Sequence, residues 1–108
     1  MRNDEIYKKE LAKLQKIFEI VDESKRELVQ GLIEDAAFLK AENQELREIL
    51  SVTGMIKTHP KYQDIQKPTE AGKQYLKNIN SYSTVIRTLN SILNKSADLE
   101  DDDLEEFE

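Results

Sequence analysis

Five lysines cluster in residues 57–77, a stretch that also holds the single histidine and both prolines of the 108-residue chain. Lysine ammonium groups meet phosphates as point charges, so such a cluster favours nucleic-acid binding that depends on salt and hardly on base sequence. No helix with base-reading arginines can be identified, which predicts weak sequence specificity. The alternative is a solvated surface whose charges balance acids elsewhere. The candidate DNA contacts are Lys57, Lys61, Lys67, Lys73 and Lys77, with Tyr62 and Tyr75 interleaved.

Catalytic residues are scarce in this sequence. His59 is the only imidazole, cysteine is absent and the serines are scattered, so a nucleophile–base pair or a metal-ligand cluster has almost nothing to draw on. No glycine-rich loop of the kind that cradles phosphates is present. The carboxylates crowd a solvated helix face and the C-terminal tail, which does not favour general acid–base catalysis. We therefore expect no enzyme, no cofactor and no metal, and a His59 that hydrogen-bonds within its own loop.

The charges are divided unevenly along the chain. Residues 1–50 carry nine basic and twelve acidic side chains, residues 51–96 carry seven basic and two acidic, and residues 97–108 carry eight acidic and none basic. The formal net charge of −6 therefore combines blocks of −3, +5 and −8. With 38% apolar and 35% charged residues, the composition suits long helices with thin apolar stripes. Partner chains usually complete such stripes, so we expect an oligomer.

Two long amphipathic helices are predicted in the first half of the chain. The first, about Asp4 to Ile20, places apolar residues three and four positions apart, and the second runs from about Lys25 to Ser51. Asp22 or Ser24 is a candidate N-cap for the second helix. The apolar face of the first helix comprises Tyr7, Leu11, Leu14, Phe18 and Val21.

The second helix carries a heptad pattern of apolar residues for just over three repeats. This stripe favours association with another copy, and Asn43 falls at an a position, where a buried amide can pair with its symmetry mate and fix the register. The alternative is an intramolecular hairpin in which the first helix covers the stripe. The predicted oligomer interface is Val29, Leu32, Ala36, Leu39, Asn43, Leu46 and Leu50.

A proline- and glycine-containing loop follows the second helix. Gly54 is a candidate C-cap, and the segment up to Pro68 is predicted to be an ordered loop or a short extended segment. Thr69 is a candidate cap for a third helix, about Glu70 to Asn94. We therefore expect an all-α fold, with a long helical hairpin, the loop and a third helix, and no sheet. The face of the third helix comprises Tyr75, Ile79, Tyr82, Ile86, Leu89 and Leu93.

The last twelve residues, "ADLEDDDLEEFE", combine eight acids with three large apolar side chains. Such a segment cannot bury enough apolar surface alone, so we expect disorder in isolation and folding on a protein partner. Residues 1–96 would then form a single helical oligomerisation and DNA-binding domain, and residues 97–108 a tail. Neither a signal region nor a membrane-length apolar run is evident, which predicts a cytoplasmic protein with no membrane contact. The candidate partner-binding residues are Leu99, Leu104 and Phe107.

Residues 46–94 resemble the central part of the small terminase subunits of tailed bacteriophages. The likeness rests on a helix that ends in "LREILSVTGMI", on the loop "HPKYQDIQKP" and on the last helix, "AGKQYLKNINSYSTVIRTLNSIL". In that family a long helix runs into a glycine, a loop with an HP pair follows, and a helix with regularly spaced tyrosine and leucine closes the domain. Many members end this helix with a "GLTP-S-R" type sequence, whereas this chain continues "LNSILNKSADLEDDD".

The resemblance implies a non-enzymatic DNA-recognition subunit of a genome-packaging motor, acting in the cytoplasm of an infected or lysogenic bacterial host. The family forms ring-shaped homo-oligomers, binds double-stranded viral DNA and regulates the ATPase and nuclease of the large terminase subunit. In this chain the first two helices would build the subunit interfaces. Charge and composition make the five lysines the candidates for DNA contact and the tail the candidate for docking the large subunit.

Two other functions are compatible with the residues. One is a coiled-coil adaptor or regulator that binds one protein partner through its acidic tail, which the heptads suit equally well. The other is an acidic inhibitor that imitates nucleic acid. The +5 block argues against the inhibitor, because a mimic gains nothing from clustered lysines.

Overall fold

Three long helices and one small β-hairpin make up the part of the chain that the structure describes. The computed structural model covers the backbone of residues 2–106 and the side chains of residues 3–96. The mostly helical fold is confirmed, and the expectation of no sheet is wrong, because two short strands pair after the second helix. The elements are α1 (Arg2–Ile17) with a 3-10 turn (Phe18–Ile20), α2 (Glu23–Thr53), β1 (Ile56–Thr58), β2 (Gln66–Pro68) and α3 (Glu70–Glu106).

The central helix is α2, and both α1 and α3 pack against it. A short turn connects α1 to α2, and the Asn3 amide near the start of α1 donates to Glu42 Oε1 at 2.9 Å, so the two helices run antiparallel. Ala36, Ala37 and Ala41 are fully buried on α2, and their small side chains let the neighbouring helices approach closely. The core where the helices meet comprises Leu14, Phe18, Val21, Val29, Ile33, Ala36 and Leu89.

The heptad stripe of α2 is buried in large part by the chain itself. Val29 and Ala36 belong to the core, and Asn43 is only 7% exposed. The intramolecular alternative therefore accounts for these positions. The carbonyl oxygen of the Asn43 side chain is buried and receives no hydrogen bond from a described residue. Association through this stripe stays a prediction, and its half-buried members are Leu32, Leu39, Leu46 and Leu50.

The start of α2 is set by the backbone. Asp22 occupies the N-cap position, and its carbonyl oxygen accepts from Arg26 N–H at 2.9 Å. Its carboxylate makes no cap bond and instead accepts from the Ser24 hydroxyl at 2.9 Å. Asp22 is therefore confirmed as the N-cap residue, although its side chain bonds to Ser24 and not to the backbone of the first turn.

Four residues join the hairpin to the helices, and we call Gly54, Met55, Thr69 and Gly72 the junction. Gly54 ends α2 with a φ of 77°, in the left-handed region that favours glycine. The Thr69 hydroxyl donates to Gly54 O at 2.9 Å, and Thr69 N–H donates to Met55 O at 2.9 Å. Gly72 N–H donates to Thr69 Oγ1 at 3.0 Å, which confirms Thr69 as the cap of α3.

The first turn of α3 lies against the chain that enters β1. A Cβ at position 72 would lie 2.9 Å from Met55 O and 2.9 Å from Thr69 Oγ1, closer than side chains are found. Only glycine permits this approach. Gly31, in the middle of α2, has nothing within 4 Å of the corresponding position.

The bounds of α3 include residues 97–106, for which the sequence predicts disorder in isolation. Side chains from residue 97 onward lie outside the described residues, and these include Leu99, Leu104 and Phe107. The disorder of the isolated tail and its role in partner binding therefore stay predictions.

Replacing Gly72 with alanine is expected to lower the free energy of unfolding by about 1–3 kcal/mol, because the added methyl group overpacks the junction. The matched change Gly31→Ala should raise it by about 1 kcal/mol, because alanine has the higher helix propensity and position 31 is open. Urea denaturation followed by circular dichroism measures both changes. Equal stabilisation by the two substitutions would show that the junction does not constrain the backbone.

Candidate nucleic-acid interface

The β-hairpin carries three of the five candidate lysines beyond the end of α2. Its strands pair antiparallel in a register that places Lys57 directly opposite Lys67. All residues of both strands are exposed. Directly opposed side chains share one face of a hairpin, with Cβ atoms about 5 Å apart, and two like charges there destabilise the pairing. The hairpin thus holds two ammonium groups together at a cost that an anion between them would remove.

A shallow pocket of about 240 Å³ lies beside this lysine pair. Its lining is mostly apolar, and two lysines and a threonine are among the residues that form it. Lysines beside a small pocket suit a phosphate oxygen, because charge-assisted hydrogen bonds are the strong ones. The pocket is lined by Lys57, Thr58, His59, Pro60, Ile65 and Lys67.

His59 shapes the turn that holds the third hairpin lysine. Its Nδ1 accepts from the backbone N–H groups of Lys61 at 3.1 Å and Tyr62 at 3.2 Å, so this nitrogen carries no proton. Its ring also packs on the Tyr62 ring, with 5.2 Å between the centroids. Backbone bonds from His59 N to Ile65 O and from Ile65 N to Tyr62 O, each 2.9 Å, close the loop. The interpretation of His59 as a locally hydrogen-bonded residue is confirmed.

The other two candidate lysines lie on the first turns of α3, directly after the hairpin. Lys73 and Lys77 are exposed and one helical turn apart. Lys73 Nζ is 3.4 Å from Glu70 Oε1, an exposed pair of the kind that contributes little to stability. The remaining four candidate lysines form no ion pair with a described carboxylate. The structure therefore brings all five to one end of the molecule with their charges largely uncompensated.

Two further basic residues, Arg87 and Lys95, were missed from the sequence. Both are exposed on α3, and at 3.6 residues per turn they fall within about 80° of the helix surface that carries Lys73 and Lys77. No acid lies between Glu70 and Asp98, and this acid-free stretch is the signal that identifies them. We call the surface formed by Lys73, Lys77, Arg87 and Lys95 the basic face of α3.

Exposed apolar side chains accompany the lysines at the hairpin end. Val52, near the end of α2, is 87% exposed, and four neighbours in the hairpin and the start of α3 are also exposed. A solvent-exposed protein surface with this many large apolar side chains is typical of a contact site. We call this set the apolar shoulder, and it comprises Val52, Met55, Ile56, Ile65 and Leu76.

The outer side of α2 carries a second apolar stripe, separate from the buried heptad stripe. Its positions are spaced alternately by three and four residues along the whole helix, so they form one continuous face. The exposed apolar members, which we call the outer stripe, are Leu28, Phe38, Ile49 and Val52. Between them lie Gly31 and the acids Asp35, Glu42 and Glu45.

A half-buried tyrosine lies among the polar groups between the helices. Burial, with a smaller contribution from the Glu10 carboxylate, raises the pKa of Tyr82 above its ordinary value. The Lys40 ammonium lies 5.8 Å from the centre of the Tyr82 ring, within the range of a cation–π contact. A phenol with a raised pKa stays protonated near neutral pH, and Tyr82 packs against the core.

The role of the His59 imidazole predicts a difference between two substitutions. His59→Asn should preserve the turn, because an asparagine carbonyl oxygen accepts from the backbone N–H two residues on. His59→Phe keeps a ring against Tyr62 but removes the acceptor, and the Lys61 and Tyr62 amides should then exchange with solvent about fivefold faster, the equivalent of one hydrogen bond of about 1 kcal/mol. Amide exchange followed by NMR measures this. Identical exchange in the two variants would contradict the assigned acceptor role.

The described residues hold no group of three or more histidine, cysteine or acidic side chains placed to bind a metal ion. No helix of the described part is both long and apolar enough to cross a membrane. Comparisons with models of known protein families, with curated proteins and with solved structures find no match for this chain.

Proposed function

We propose that this chain is the small, non-enzymatic subunit of a phage genome-packaging terminase, which assembles as a homo-oligomer and binds double-stranded viral DNA. The observation that carries the proposal is the collection of exposed, largely unpaired cations on the hairpin and along the basic face of α3. The resemblance of residues 46–94 to small terminase subunits supports the finer assignment. Regulation of the large subunit's ATPase and nuclease, through the tail, is part of the proposal.

The hairpin is the element proposed to meet DNA first. A two-stranded β-ribbon fits the major groove of B-DNA, whose edges are lined with phosphates. Lys57 and Lys67 repel each other on one face of the hairpin, and a phosphate between them replaces that repulsion with two attractions. Lys61 extends the same charge to the turn.

The basic face of α3 is proposed to continue the contact along the DNA backbone. Lys73 and Lys95 are separated by 22 residues of helix, or about 33 Å, which is close to one turn of duplex DNA. Lysine and arginine contacts of this kind neutralise phosphates and release counterions, so affinity falls steeply with salt. Weak sequence specificity is expected, because most of these contacts come from lysines, which meet phosphates as point charges.

The outer stripe of α2 is the surface proposed for assembly. The heptad stripe is buried in large part in the chain's own core, whereas Leu28 is 82% exposed and Phe38 is 56% exposed. The outer stripe would pack against a different surface of a neighbouring copy, which leaves the basic face of α3 free for DNA and makes the contact head-to-tail. Such a head-to-tail contact generates a ring when its rotation closes.

DNA binding is tested by a matched pair of triple variants. One variant changes Lys57, Lys61 and Lys67 together to glutamine. It should weaken duplex binding and make the negative slope of log K against log salt shallower by about 3, roughly 0.9 per lost phosphate contact. Lys8, Lys9 and Lys16 changed to glutamine remove the same charge from exposed positions on α1 and should leave the slope nearly unchanged. Fluorescence anisotropy with a labelled duplex between 50 and 200 mM salt, a range over which such slopes are resolved, gives both values.

An equal loss in the two triple variants would mean that only net charge matters, and an unchanged hairpin variant would remove the hairpin from the DNA contact. Circular dichroism confirms that each variant is folded.

Assembly is tested by charge insertion at one exposed position. Phe38→Glu should dissociate the oligomer, because burying a carboxylate in an apolar contact costs several kcal/mol, while leaving the fold intact at this exposed site. The control is Ile20→Glu, which makes the same apolar-to-acid change at an exposed residue in the turn before α2. Light scattering after size-exclusion chromatography measures the mass. A monomeric wild-type chain, or an oligomer that tolerates Phe38→Glu, would contradict the proposed surface.

A further inference from the structure

We infer that the hairpin end of one chain is a docking site for the acidic segment 97–108 of a second copy, and that this segment competes with DNA there. The competition rests on the proposed DNA binding, whereas the docking itself does not. The site consists of the hairpin lysines, Lys73, Lys77 and the apolar shoulder.

Charge complementarity is the first observation. Residues 57–77 hold five lysines and two acids, and residues 97–108 hold eight acids and no base. The hairpin cations have no described carboxylate as a partner, and Lys57 and Lys67 are opposed to each other. A densely acidic peptide removes that repulsion by the same physics as a row of phosphates, because both present closely spaced negative charges.

The apolar shoulder is the second observation. Lysines alone attract any polyanion, but Ile65, which lines the same pocket as Lys57 and Lys67, adds exposed apolar surface that a nucleic-acid backbone cannot cover. The tail carries Leu99, Leu104 and Phe107 among its acids, a composition suited to a site that is both basic and apolar. The shoulder therefore favours the tail as an occupant that matches both properties.

Length shows which copy supplies the tail. Helix α3 starts at the hairpin end, and Ser96 lies 26 residues after Glu70, or about 39 Å along the helix axis. A fully extended segment of 12 residues spans at most about 42 Å. Folded back along its own helix, it would pass Lys77 and Lys73 but would end before it could contact the three hairpin lysines. The tail can therefore occupy the hairpin part of the site only on another copy.

The consequence is that copies of the chain inhibit one another's DNA binding. Each chain carries the site at one end and its ligand at the other, so free chains cover each other's DNA-binding ends. A high local concentration within an oligomer strengthens this docking, because the segment is tethered close to its site. Duplex DNA, with its longer row of charges, displaces it.

The test uses the 108-residue chain with a neutralised tail, in which five of the eight acids are replaced: Asp101, Asp102 and Asp103 by asparagine, and Glu105 and Glu106 by glutamine. A labelled peptide of residues 97–108 should bind this variant, as measured by fluorescence anisotropy at low salt. Changing Lys57, Lys61 and Lys67 to glutamine in the same background should weaken peptide binding about tenfold, as expected for the loss of three charge pairs. The Lys8, Lys9 and Lys16 variant should bind the peptide normally.

Two further readings separate the parts of the inference. A peptide with Leu99, Leu104 and Phe107 replaced by serine keeps all eight acids and should bind more weakly, which isolates the apolar shoulder from charge. The neutralised-tail chain should bind duplex DNA more tightly than the wild type, and the added peptide should reverse this gain.

Each outcome is decisive. Absence of peptide binding, or binding that ignores the hairpin lysines, overturns the docking whatever the DNA result. Peptide binding at the hairpin with no DNA binding by any variant supports the docking and overturns the proposed function. DNA binding that the tail does not affect leaves the proposed function standing and overturns the competition. A tail that binds only the large terminase subunit would show as the first of these outcomes.

Discussion

The placement of the candidate DNA-binding surface depends on one close contact, the approach of Gly72 to the carbonyl group of Met55. A hairpin with strands of three residues is too short to be stable alone, since isolated two-stranded hairpins are marginal even when longer. The junction supplies what the strands lack. Thr69 bonds at once to the end of α2, to the entry of β1 and to the first turn of α3, so hairpin and helices are held in one orientation. The lysines keep their relative positions because that orientation is held.

The buried alanines of α2 determine how closely the other two helices pack against it. With Ala36, Ala37 and Ala41 facing inward, α1 and α3 approach α2 from two sides and share one core. The chain thereby buries much of the stripe that a coiled coil would use. Apolar residues remain on the third side of α2, next to acids, while the stretch of α3 between Glu70 and Asp98 carries four exposed cations and no acid. Charge is thus segregated by helix as well as by position in the chain, and a fold with this asymmetry is suited to directional contacts between copies.

The basic end combines features that charge alone does not explain. Two lysines oppose each other on one face of the hairpin, the His59 ring accepts two backbone hydrogen bonds in the turn, and large apolar groups are exposed beside them. The opposed lysines and the exposed apolar groups each have a free-energy cost in an isolated chain. A ligand that is polyanionic recovers the first cost, and a ligand that is also apolar recovers the last. An assembled protein can bind both kinds of ligand. The proposed DNA is the polyanionic ligand, and the acidic segment 97–108 is the ligand that also carries apolar groups.

The sequence by itself determined the three helices, the end of α2 at Gly54, the Thr69 cap and the local role of His59, because periodicity, backbone freedom and short-range hydrogen bonds are properties of neighbouring residues. It also located the five lysines. Only the tertiary structure decided that β1 and β2 pair, because strands of three exposed residues leave no alternating pattern to detect. It likewise decided that α1 and α3 cover much of the heptad stripe. A repeat identifies an apolar face but not the helix that buries it, since that choice depends on contacts between residues far apart in the chain.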